Sequence, residues 1–210
     1  MKLIIQIPCY NEAETLTIAL DALPKYIDGI DEIEYLIIND GSVDETEEIA
    51  RAWGVQHVVH FKRNLGLARG FLAGLDLALR NGADIIVNTD ADNQYCGEDI
   101  EKLVRPIIEK KADIVIGERP IDEIEDFSWI KKKLQRLGSW FVRAASRTDI
   151  PDAPSGFRAY SRHAAMRMNV NNEYTYTLET IVQAGRNKMA IISVPVRTNP
   201  ELRKSRLMNS

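Results

Sequence analysis

The chain has few of the features that define several large classes of protein. Its two cysteines among 210 residues, Cys9 and Cys96, form neither a zinc-binding spacing nor a disulfide framework. No hydrophobic run approaches the length of a membrane span. The first apolar run, Leu3 to Ile7, is too short for a signal peptide. We therefore expect a protein of the cytoplasm, with any membrane contact limited to the inner surface of the bilayer.

Strong charge of one sign and repeated segments are also missing. The net charge of −4 gives no indication of a nucleic-acid partner, and we expect none. No internal repeat or low-complexity tract is visible in the sequence. A chain of this length with 45% hydrophobic residues can bury one sizeable core. We therefore expect one domain over residues 1–210, with residues 1–117 and 118–210 as its two halves.

Strand-like and helix-like segments alternate along the first of these halves. Short apolar runs predict strands, and apolar residues at helical spacing between them predict helices. The predicted strands are residues 3–7, 33–38, 55–61, 85–87 and 113–117. Further along the chain we expect helices at 128–147 and 172–185. We also expect a strand that is reached at Tyr160 and a last strand at 190–194. This pattern predicts an α/β fold with a mostly parallel sheet flanked by helices.

Acidic residues follow the fourth predicted strand directly. Asp90 and Asp92 come after the apolar run Ile85 to Val87, at the carboxyl end where open α/β sheets bind ligands. If this segment is extended, alternate side chains point the same way, and Gln94 joins the two acids. Hard oxygen ligands of this kind suit Mg²⁺ or Mn²⁺.

Three other interpretations of these acids stay open at this point. A solvated turn needs no ligand at all. An EF-hand loop would use Asp90, Asp92, Gln94 and Glu101, but it needs glycine where Tyr95 stands. A phosphatase with an aspartate nucleophile would require a catalytic lysine further along the chain.

Polar residues also follow the other predicted strands. The loop containing Glu12 follows the first strand, and Asp40 follows the second, so both should reach the same edge of the sheet. Before the next helix stand the basic residues Lys62, Arg63 and Arg69, which are suited to binding phosphate near a helix N-terminus. A solvated basic turn is the alternative.

The predicted helix at 128–147 has one basic face. Lys132, Arg136, Arg143 and Arg147 lie opposite an apolar stripe, and no acid occurs from Lys131 to Arg147. Such a helix fits a surface that touches anionic headgroups or a phosphorylated lipid. A solvated basic face over an ordinary core stripe is equally compatible with the pattern.

Two acids in the second half are candidates for proton transfer. Asp152 lies in a loop that runs into a strand, where it can act as a base or as a hydrogen-bond acceptor. Glu179 stands beside an apolar stripe of a predicted helix. It is either a base with a raised pKa or a residue at the edge of the stripe.

Five motifs occur together in a characteristic order. They are Ile7-Pro8-Cys9-Tyr10-Asn11-Glu12, Asn39-Asp40-Gly41-Ser42, Asp90-Ala91-Asp92-Asn93-Gln94, Ser155-Gly156-Phe157-Arg158 and Arg203-Lys204-Ser205-Arg206. Across nearly the whole chain this set resembles the family 2 glycosyltransferases, and most of all the polyprenol-phosphate branch typified by dolichol-phosphate mannose synthases. The resemblance implies a GT-A fold, a divalent cation and inverting transfer of a sugar from a nucleoside-diphosphate sugar.

The resemblance also assigns residues to the donor. It implies that the base and ribose are held by Pro8, Tyr10, Glu12 and Asp40 with the backbone near Ile38. It implies that Asp90, Ala91, Asp92 and Gln94 bind the nucleotide and the metal, and that Arg206 closes over the diphosphate. Arg69 is a second cation suited to stabilising the charge of the leaving diphosphate.

On the acceptor side, the resemblance implies a wall made by Gly156, Phe157 and Arg158, with Asp152 in front of it. A phosphate acceptor is already ionised and needs no strong base, whereas a hydroxyl needs a carboxylate to take its proton. Asp152 is then the first candidate for the base and Glu179 the second. Asn93 replaces the glycine that is usual in the family, but asparagine tolerates a left-handed backbone.

We therefore expect an enzyme that moves a hexose from a UDP- or GDP-sugar to a polyprenyl phosphate. Transfer to a saccharide hydroxyl in cell-surface polysaccharide synthesis keeps the same enzyme class with another acceptor. A nucleotide-sugar-binding module without turnover is the alternative outside enzymes. A nucleotidyltransferase would need a glycine-rich, basic phosphate loop near the N-terminus, and none occurs between Pro8 and Thr15.

Overall fold

The structure, a computed structural model, describes residues 1–120, 150–170 and 175–200. The strands are β1 (Lys2–Cys9), β2 (Glu32–Asn39), β3 (His57–His60), β4 (Ile85–Asn88), β5 (Ile114–Glu118), β6 (Arg158–Ser161) and β7 (Ile191–Pro195). The helices are α1 (Leu16–Asp21), α2 (Thr46–Trp53), α3 (Leu67–Arg80), α4 (Ile100–Ile108), α5 (Arg162–Ala165) and α6 (Thr177–Arg186). A single 3-10 turn, Gly97–Asp99, precedes α4.

The seven described strands form one sheet in the order β3-β2-β1-β4-β6-β5-β7. Neighbours pair in parallel throughout except at β6, which is antiparallel to both β4 and β5. The prediction of an α/β fold with a mostly parallel sheet is therefore confirmed. Because β6 runs the other way, the loop that precedes it arrives at the carboxyl edge of β4.

Apolar side chains are buried on both faces of this sheet, as parallel strands require. One face packs against α1, α2 and α4, and the other against α3, α5 and α6. The central strand β1 shows why: Leu3, Ile5 and Ile7 enter the first core, while Ile4 enters the second. At about 25 cal/mol per Å² of buried apolar area, these two layers supply the main drive for folding. The loops at the edges of the sheet are thus attached to a well-packed core.

The observed elements differ from the predicted ones mainly at their ends. The third strand covers only His57–His60 rather than residues 55–61, and α6 begins at Thr177. Gly54 ends α2, because its φ of 100° is left-handed and suits glycine. The predicted helix at 128–147 and the tail with Arg206 lie outside the described residues. Within the described ranges, no helix is long and apolar enough to cross a membrane.

Candidate active site

The carboxyl edge of the sheet gathers loops from five strands. The loops after β1, β2, β4 and β5 meet the loop that precedes the antiparallel β6. Ligands of open α/β sheets bind at such an edge. Six of the candidate residues lie on these loops, namely Tyr10, Glu12, Asp40, Asp90, Asp92 and Asp152, with Asp90 and Asp92 just beyond β4.

The segment after β4 turns instead of extending. Ala91 and Asp92 form a turn, and Asn93 adopts a left-handed φ of 57°. The Asp92 Oδ1 accepts a hydrogen bond of 3.0 Å from the backbone N–H of Gln94. The prediction of an extended segment with alternating side chains was therefore wrong, because a side-chain-to-backbone bond offers aspartate a local alternative to the strand.

The two carboxylates influence each other across this turn. Burial, together with the negative charges of Asp92 and Glu12, raises the pKa of Asp90 to about 7, although the positive charge of Arg119 opposes this shift. A carboxyl group in this environment is costly to ionise without a nearby cation. A cation bound at the turn would therefore favour the ionised form of Asp90.

A polar network crosses the sheet directly below Asp90. The Asn88 side chain donates 2.8 Å to the Tyr176 hydroxyl and 3.0 Å to the Gly156 carbonyl, and it accepts 3.0 Å from the Gln6 amide. Each of these side chains is buried. A Cβ added to Gly156 would lie 3.4 Å from Asp90 Oδ1. The network thus fixes the backbone that borders the Asp90 carboxylate.

Arg119, just after β5, pairs with Asp152. Its Nε lies 2.7 Å from Asp152 Oδ2 and its Nη2 lies 3.0 Å from Oδ1, a two-pronged contact with a fully buried carboxylate. Burial alone lowers the pKa of Arg119, but the bonds to Asp152 and the neighbouring acids outweigh it, so the net shift is upward. Asp152 is therefore held as an ion-pair partner, a geometry that disfavours its predicted use as a base.

Arg158, placed among the candidate catalytic residues, is completely buried in β6. Its Nε donates to the Ser155 carbonyl at 2.6 Å and its Nη2 to the Ala153 carbonyl at 2.6 Å. Its Nη1 donates to the Thr177 carbonyl and to the Thr180 hydroxyl. The guanidinium thus ties the loop before β6 to the first turn of α6, and this geometry favours a structural role.

Glu179 lies in the first turn of α6 and is partly buried. Its Oε1 accepts 3.3 Å from the Gln183 amide one turn further on. This contact belongs to the surface of the helix, which agrees with the alternative of a residue at the edge of the apolar stripe.

The loops after β1 and β2 are bonded to each other. The Asn11 N–H donates 3.0 Å to the Ser42 hydroxyl, and Asn11 Oδ1 accepts 2.8 Å from the Val43 N–H. The Glu12 N–H donates 2.8 Å to the Thr46 hydroxyl. Between them Tyr10 stands 44% exposed, an aromatic ring open to a flat ligand. The two loops therefore form one surface.

The residues that the resemblance assigns to the base of the donor lie side by side. Pro8 faces Ile38 across the β1–β2 pair. The Ile38 side chain packs toward α3, since a Cβ added to Gly74 would lie 2.9 Å from its Cδ1. Only the backbone of Ile38 can therefore face a ligand, as the resemblance implies.

Asp40 organises the loop that leads into α3. Its Oδ1 accepts 2.7 Å from the Leu65 N–H and its Oδ2 accepts 2.9 Å from the Gly66 N–H, with the carboxylate 7% exposed. Gly41 beside it has a φ of 74°, and an added Cβ would lie 2.4 Å from the Arg63 backbone. The loop before α3 thus passes close to the turn that follows β2, and no side chain fits between the two at Gly41.

Of the basic residues that follow, Arg69 is exposed in the first turn of α3. Lys62 and Arg63 are exposed in the loop before it. Arg206, the other cation assigned to the diphosphate, lies outside the described residues.

The residues present fit a divalent cation that takes only part of its ligands from the protein. Within residues 1–120, 150–170 and 175–200, no three His, Cys, Asp or Glu side chains are grouped to hold a metal on their own. Mg²⁺ is often bound by one or two carboxylates together with substrate phosphates and water. Asp90 and Asp92 supply such a pair, and an anionic donor would complete the coordination.

Sequence reasoning assigned no role to several residues of this edge. Four of them contact Gly156 by hydrogen bonds or act on Asp90 by charge, namely Asn88, Tyr95, Tyr176 and Arg119. The fifth, Gln6, joins them through its hydrogen bond to Asn88. Two of them carried a signal, because Gln6 and Asn88 are polar residues inside otherwise apolar central strands and are paired in register. The other three depend on how distant segments meet.

Comparison with solved structures identifies the class of fold. A crystal structure of glucosyl-3-phosphoglycerate synthase from Mycobacterium tuberculosis, in complex with Mn²⁺, uridine diphosphate and phosphoglyceric acid, matches with a TM-score of 0.75. The match covers 97% of this chain and 72% of that chain at 19% identity. The fold is therefore GT-A, as the sequence motifs implied.

The family follows from the sequence itself. The family model described as glycosyl transferase family 2 matches residues 4–169, most of the chain. The chain belongs to this family and is a glycosyltransferase by descent.

Curated relatives carry more specific names. The chain is 26% identical over 221 residues to polyprenol monophosphomannose synthase of Mycolicibacterium smegmatis, covering 100% of this chain and 82% of that protein. It is 28% identical over 214 residues to UDP-N-acetylglucosamine–dolichyl-phosphate N-acetylglucosaminyltransferase of Methanococcus voltae, covering 91% and 83%. These names agree with the polyprenol-phosphate branch.

Proposed function

We propose that this protein transfers a hexose from a nucleoside-diphosphate sugar, linked to UDP or GDP, to a polyprenyl phosphate, with inversion at the sugar carbon. The observation that carries the proposal is the acidic turn of Asp90 and Asp92 at the GT-A ligand edge, beside the buried pair of Arg119 and Asp152. The names of the relatives support the lipid phosphate as acceptor.

The geometry favours a phosphate over a hydroxyl as acceptor. A hydroxyl acceptor must lose a proton to a carboxylate within hydrogen-bond reach. Asp152 already accepts two prongs from Arg119 and has no exposed surface, and Glu179 accepts from Gln183. A phosphate oxygen is ionised beforehand, so the described residues can perform the reaction without a base.

In this proposal the residues act mainly by binding and orienting. Asp90 and Asp92, with Gln94 beside them, would hold a divalent cation, which would supply positive charge where the leaving diphosphate becomes more negative. Tyr10, Glu12 and Asp40 border the surface offered to the base and ribose. Arg69 and, from outside the described residues, Arg206 add charge toward the diphosphate.

The acceptor is a lipid in this proposal, so the protein works peripherally at the cytoplasmic face of a membrane. The basic face predicted at Lys132, Arg136, Arg143 and Arg147 would then bind anionic headgroups. Residues 118–210 would form the acceptor half and residues 1–117 the donor half. Replacing Arg136 and Arg143 by glutamate is expected to reduce binding to anionic vesicles without changing nucleotide affinity.

Transfer of labelled sugar tests the proposal directly. The purified protein is incubated with Mn²⁺ and either GDP-mannose or UDP-N-acetylglucosamine, and with undecaprenyl phosphate or the matching unphosphorylated polyprenol. We expect label in the lipid phase with one donor and only with the phosphorylated lipid. The Asp92→Asn variant, which keeps the side-chain oxygen that accepts from Gln94, is the matched inactive control.

Transfer to the unphosphorylated alcohol at a similar rate would contradict the phosphate acceptor. Full activity in Asp92→Asn would contradict the metal site. Anomeric analysis of the product distinguishes inversion from retention.

A further inference from the structure

The segment that follows β7 runs along the outer side of the acidic turn. The Arg197 carbonyl accepts 3.3 Å from the Cys96 N–H, and Thr198 forms an isolated antiparallel bridge with Tyr95. Next in the chain, Asn199 reaches the turn itself. Residues far apart in the sequence, separated by 106 positions in the case of Asn93 and Asn199, therefore meet next to Asp92.

Asn199 makes bonds to two consecutive residues of the turn. Its side-chain amide donates 2.9 Å to the Asn93 carbonyl, and its backbone N–H donates 2.8 Å to the Gln94 carbonyl. The same amide lies 3.4 Å from the Tyr95 carbonyl. Asn199 thus contacts three successive carbonyls of the turn, those of Asn93 and Tyr95 through its side chain and that of Gln94 through its backbone.

The held residues are the ones that aim Asp92. Asn93 has a left-handed φ of 57°, a conformation that residues other than glycine adopt less readily. The N–H of the next residue, Gln94, is the donor that fixes the Asp92 carboxylate. If Asn93 relaxes toward an ordinary backbone conformation, this N–H turns away and the carboxylate loses its orientation.

A second anchor keeps the segment docked without Asn199. The Arg197 guanidinium lies 2.7 Å and 3.0 Å from the buried Asp99 carboxylate, and the Arg197 N–H donates 2.7 Å to the same group. These charge-assisted bonds are stronger than the neutral bonds of Asn199. Loss of the Asn199 side chain should therefore free the Asn93 carbonyl while leaving the segment and its backbone bond to Gln94 in place.

We propose that Asn199 is a positioning residue that holds the Asp90–Gln94 turn in the conformation that binds the divalent cation. This inference rests on the proposed function, because it gives the chain after β7 a task at the same site. In this proposal Asn199 acts indirectly, through Asn93 and Gln94 and then Asp92.

The test compares Asn199→Ala with Asn81→Ala. Both side chains donate an amide to a backbone carbonyl, and Asn81 does so to Leu77 at the end of α3. Two readouts are needed: the affinity for Mn²⁺ in the presence of nucleotide, and the rate of hydrogen exchange at the Gln94 amide measured by NMR without metal.

Loss of one neutral hydrogen bond predicts a weakening of Mn²⁺ binding by roughly three- to tenfold in Asn199→Ala. Exchange at Gln94 should accelerate by a similar factor. Asn81→Ala should change neither readout, although its melting temperature should fall comparably. The KM for the lipid acceptor should stay unchanged in Asn199→Ala, because only the turn is released.

The outcomes separate this inference from the proposed function. If the wild-type protein binds Mn²⁺ with nucleotide and Asn199→Ala binds equally well, the positioning role is wrong and the proposed function stands. If the wild-type protein binds no Mn²⁺, the proposed metal site fails and the inference falls with it. Unchanged Gln94 exchange in Asn199→Ala overturns the inference without reference to metal.

Discussion

At the scale of single residues, close backbone approach shapes the site more than exposed charge does. Gly156 illustrates this, because its carbonyl is fixed by Asn88 and Tyr176 while its α-carbon faces the Asp90 carboxylate. An added Cβ would lie 3.4 Å from Asp90 Oδ1 and 3.5 Å from the Tyr176 hydroxyl, which are ordinary contact distances. A methyl group therefore fits at this position, in contact with both oxygens.

We predict that Gly156→Ala keeps Mn²⁺ affinity within about twofold, whereas Gly156→Val weakens it at least tenfold. The added methyl groups of valine must displace the carboxylate, and overpacking of this kind costs about 1–3 kcal/mol. Calorimetric titration of both variants measures the difference. Equal affinities would show that Gly156 does not border the metal-binding carboxylate.

Arg158 offers a second prediction, this time on stability. Replacement by lysine removes the forked geometry that reaches four acceptors, three of them backbone carbonyls. We expect Arg158→Lys to lower the free energy of unfolding by about 3 kcal/mol or more, since a buried charge is left partly unsatisfied. Urea denaturation measures it, and a loss below about 1 kcal/mol would contradict the structural role. Ser193→Ala is the control with a small expected effect, because Ser193 lies in the edge strand β7 and its hydroxyl makes one hydrogen bond, to Glu118.

At the scale of elements, helices and loops are tied to strand ends by acidic side chains. Glu47 of α2 accepts from Asn39 at the end of β2, from Arg51 and from His60. The hydrogen bond from Asn39, followed by that from Arg51, lowers the pKa of Glu47 to about 2. The helix is therefore docked by an ionised carboxylate.

This docking predicts a pH-dependent stability. Because the pKa of Glu47 is lower in the folded protein than its ordinary value of 4.5, the ionised group stabilises the fold above about pH 4.5. The stabilisation is lost as the pH falls from 4.5 toward 2. We expect Glu47→Gln to cost about 1–3 kcal/mol at pH 7 and progressively less in acid. A difference from wild type that stays constant from pH 7 to pH 3 would refute this assignment.

Asp40 performs the same task for the loop before α3. Asp40→Ala leaves the N–H groups of Leu65 and Gly66 without their acceptor, which costs about 1–3 kcal/mol. Hydrogen exchange at these two amides should accelerate strongly, while exchange in the distant strand β7 should keep its rate apart from the global loss of stability. Unchanged exchange at Leu65 would mean that the loop is held by other contacts.

At the scale of the whole molecule, more of the sheet than of the site could be predicted from the sequence. Short apolar runs separated by helix-like segments were enough to predict the parallel strands, because a strand buried on both faces is a continuous apolar run in the sequence. The antiparallel insertion of β6 between β4 and β5 has no such signature, since strand order depends on long-range pairing. The proximity of Gly156, Arg119 and Tyr176 to Asp90 follows from that insertion, so it could not be predicted locally.

The motifs placed the acids correctly at the strand end but not their conformation. The local sequence Asp92-Asn93 is compatible with a strand and with a turn. The contacts with Asn199, far along the chain, favour the turn. In the same way Asp152 could be predicted as a polar loop residue. Its closed pair with Arg119 required the fold.

Calorimetric titration with UDP and with GDP, each with and without Mn²⁺, tests the central claim most directly. The account predicts that one nucleotide binds the wild-type protein at least about tenfold, or about 1.4 kcal/mol, more tightly with Mn²⁺. Asp92→Asn should lose this gain, because it keeps the bond to Gln94 but not the charge. Binding that is independent of Mn²⁺, or a gain that survives in Asp92→Asn, would contradict the assignment of this edge as a metal-dependent donor site.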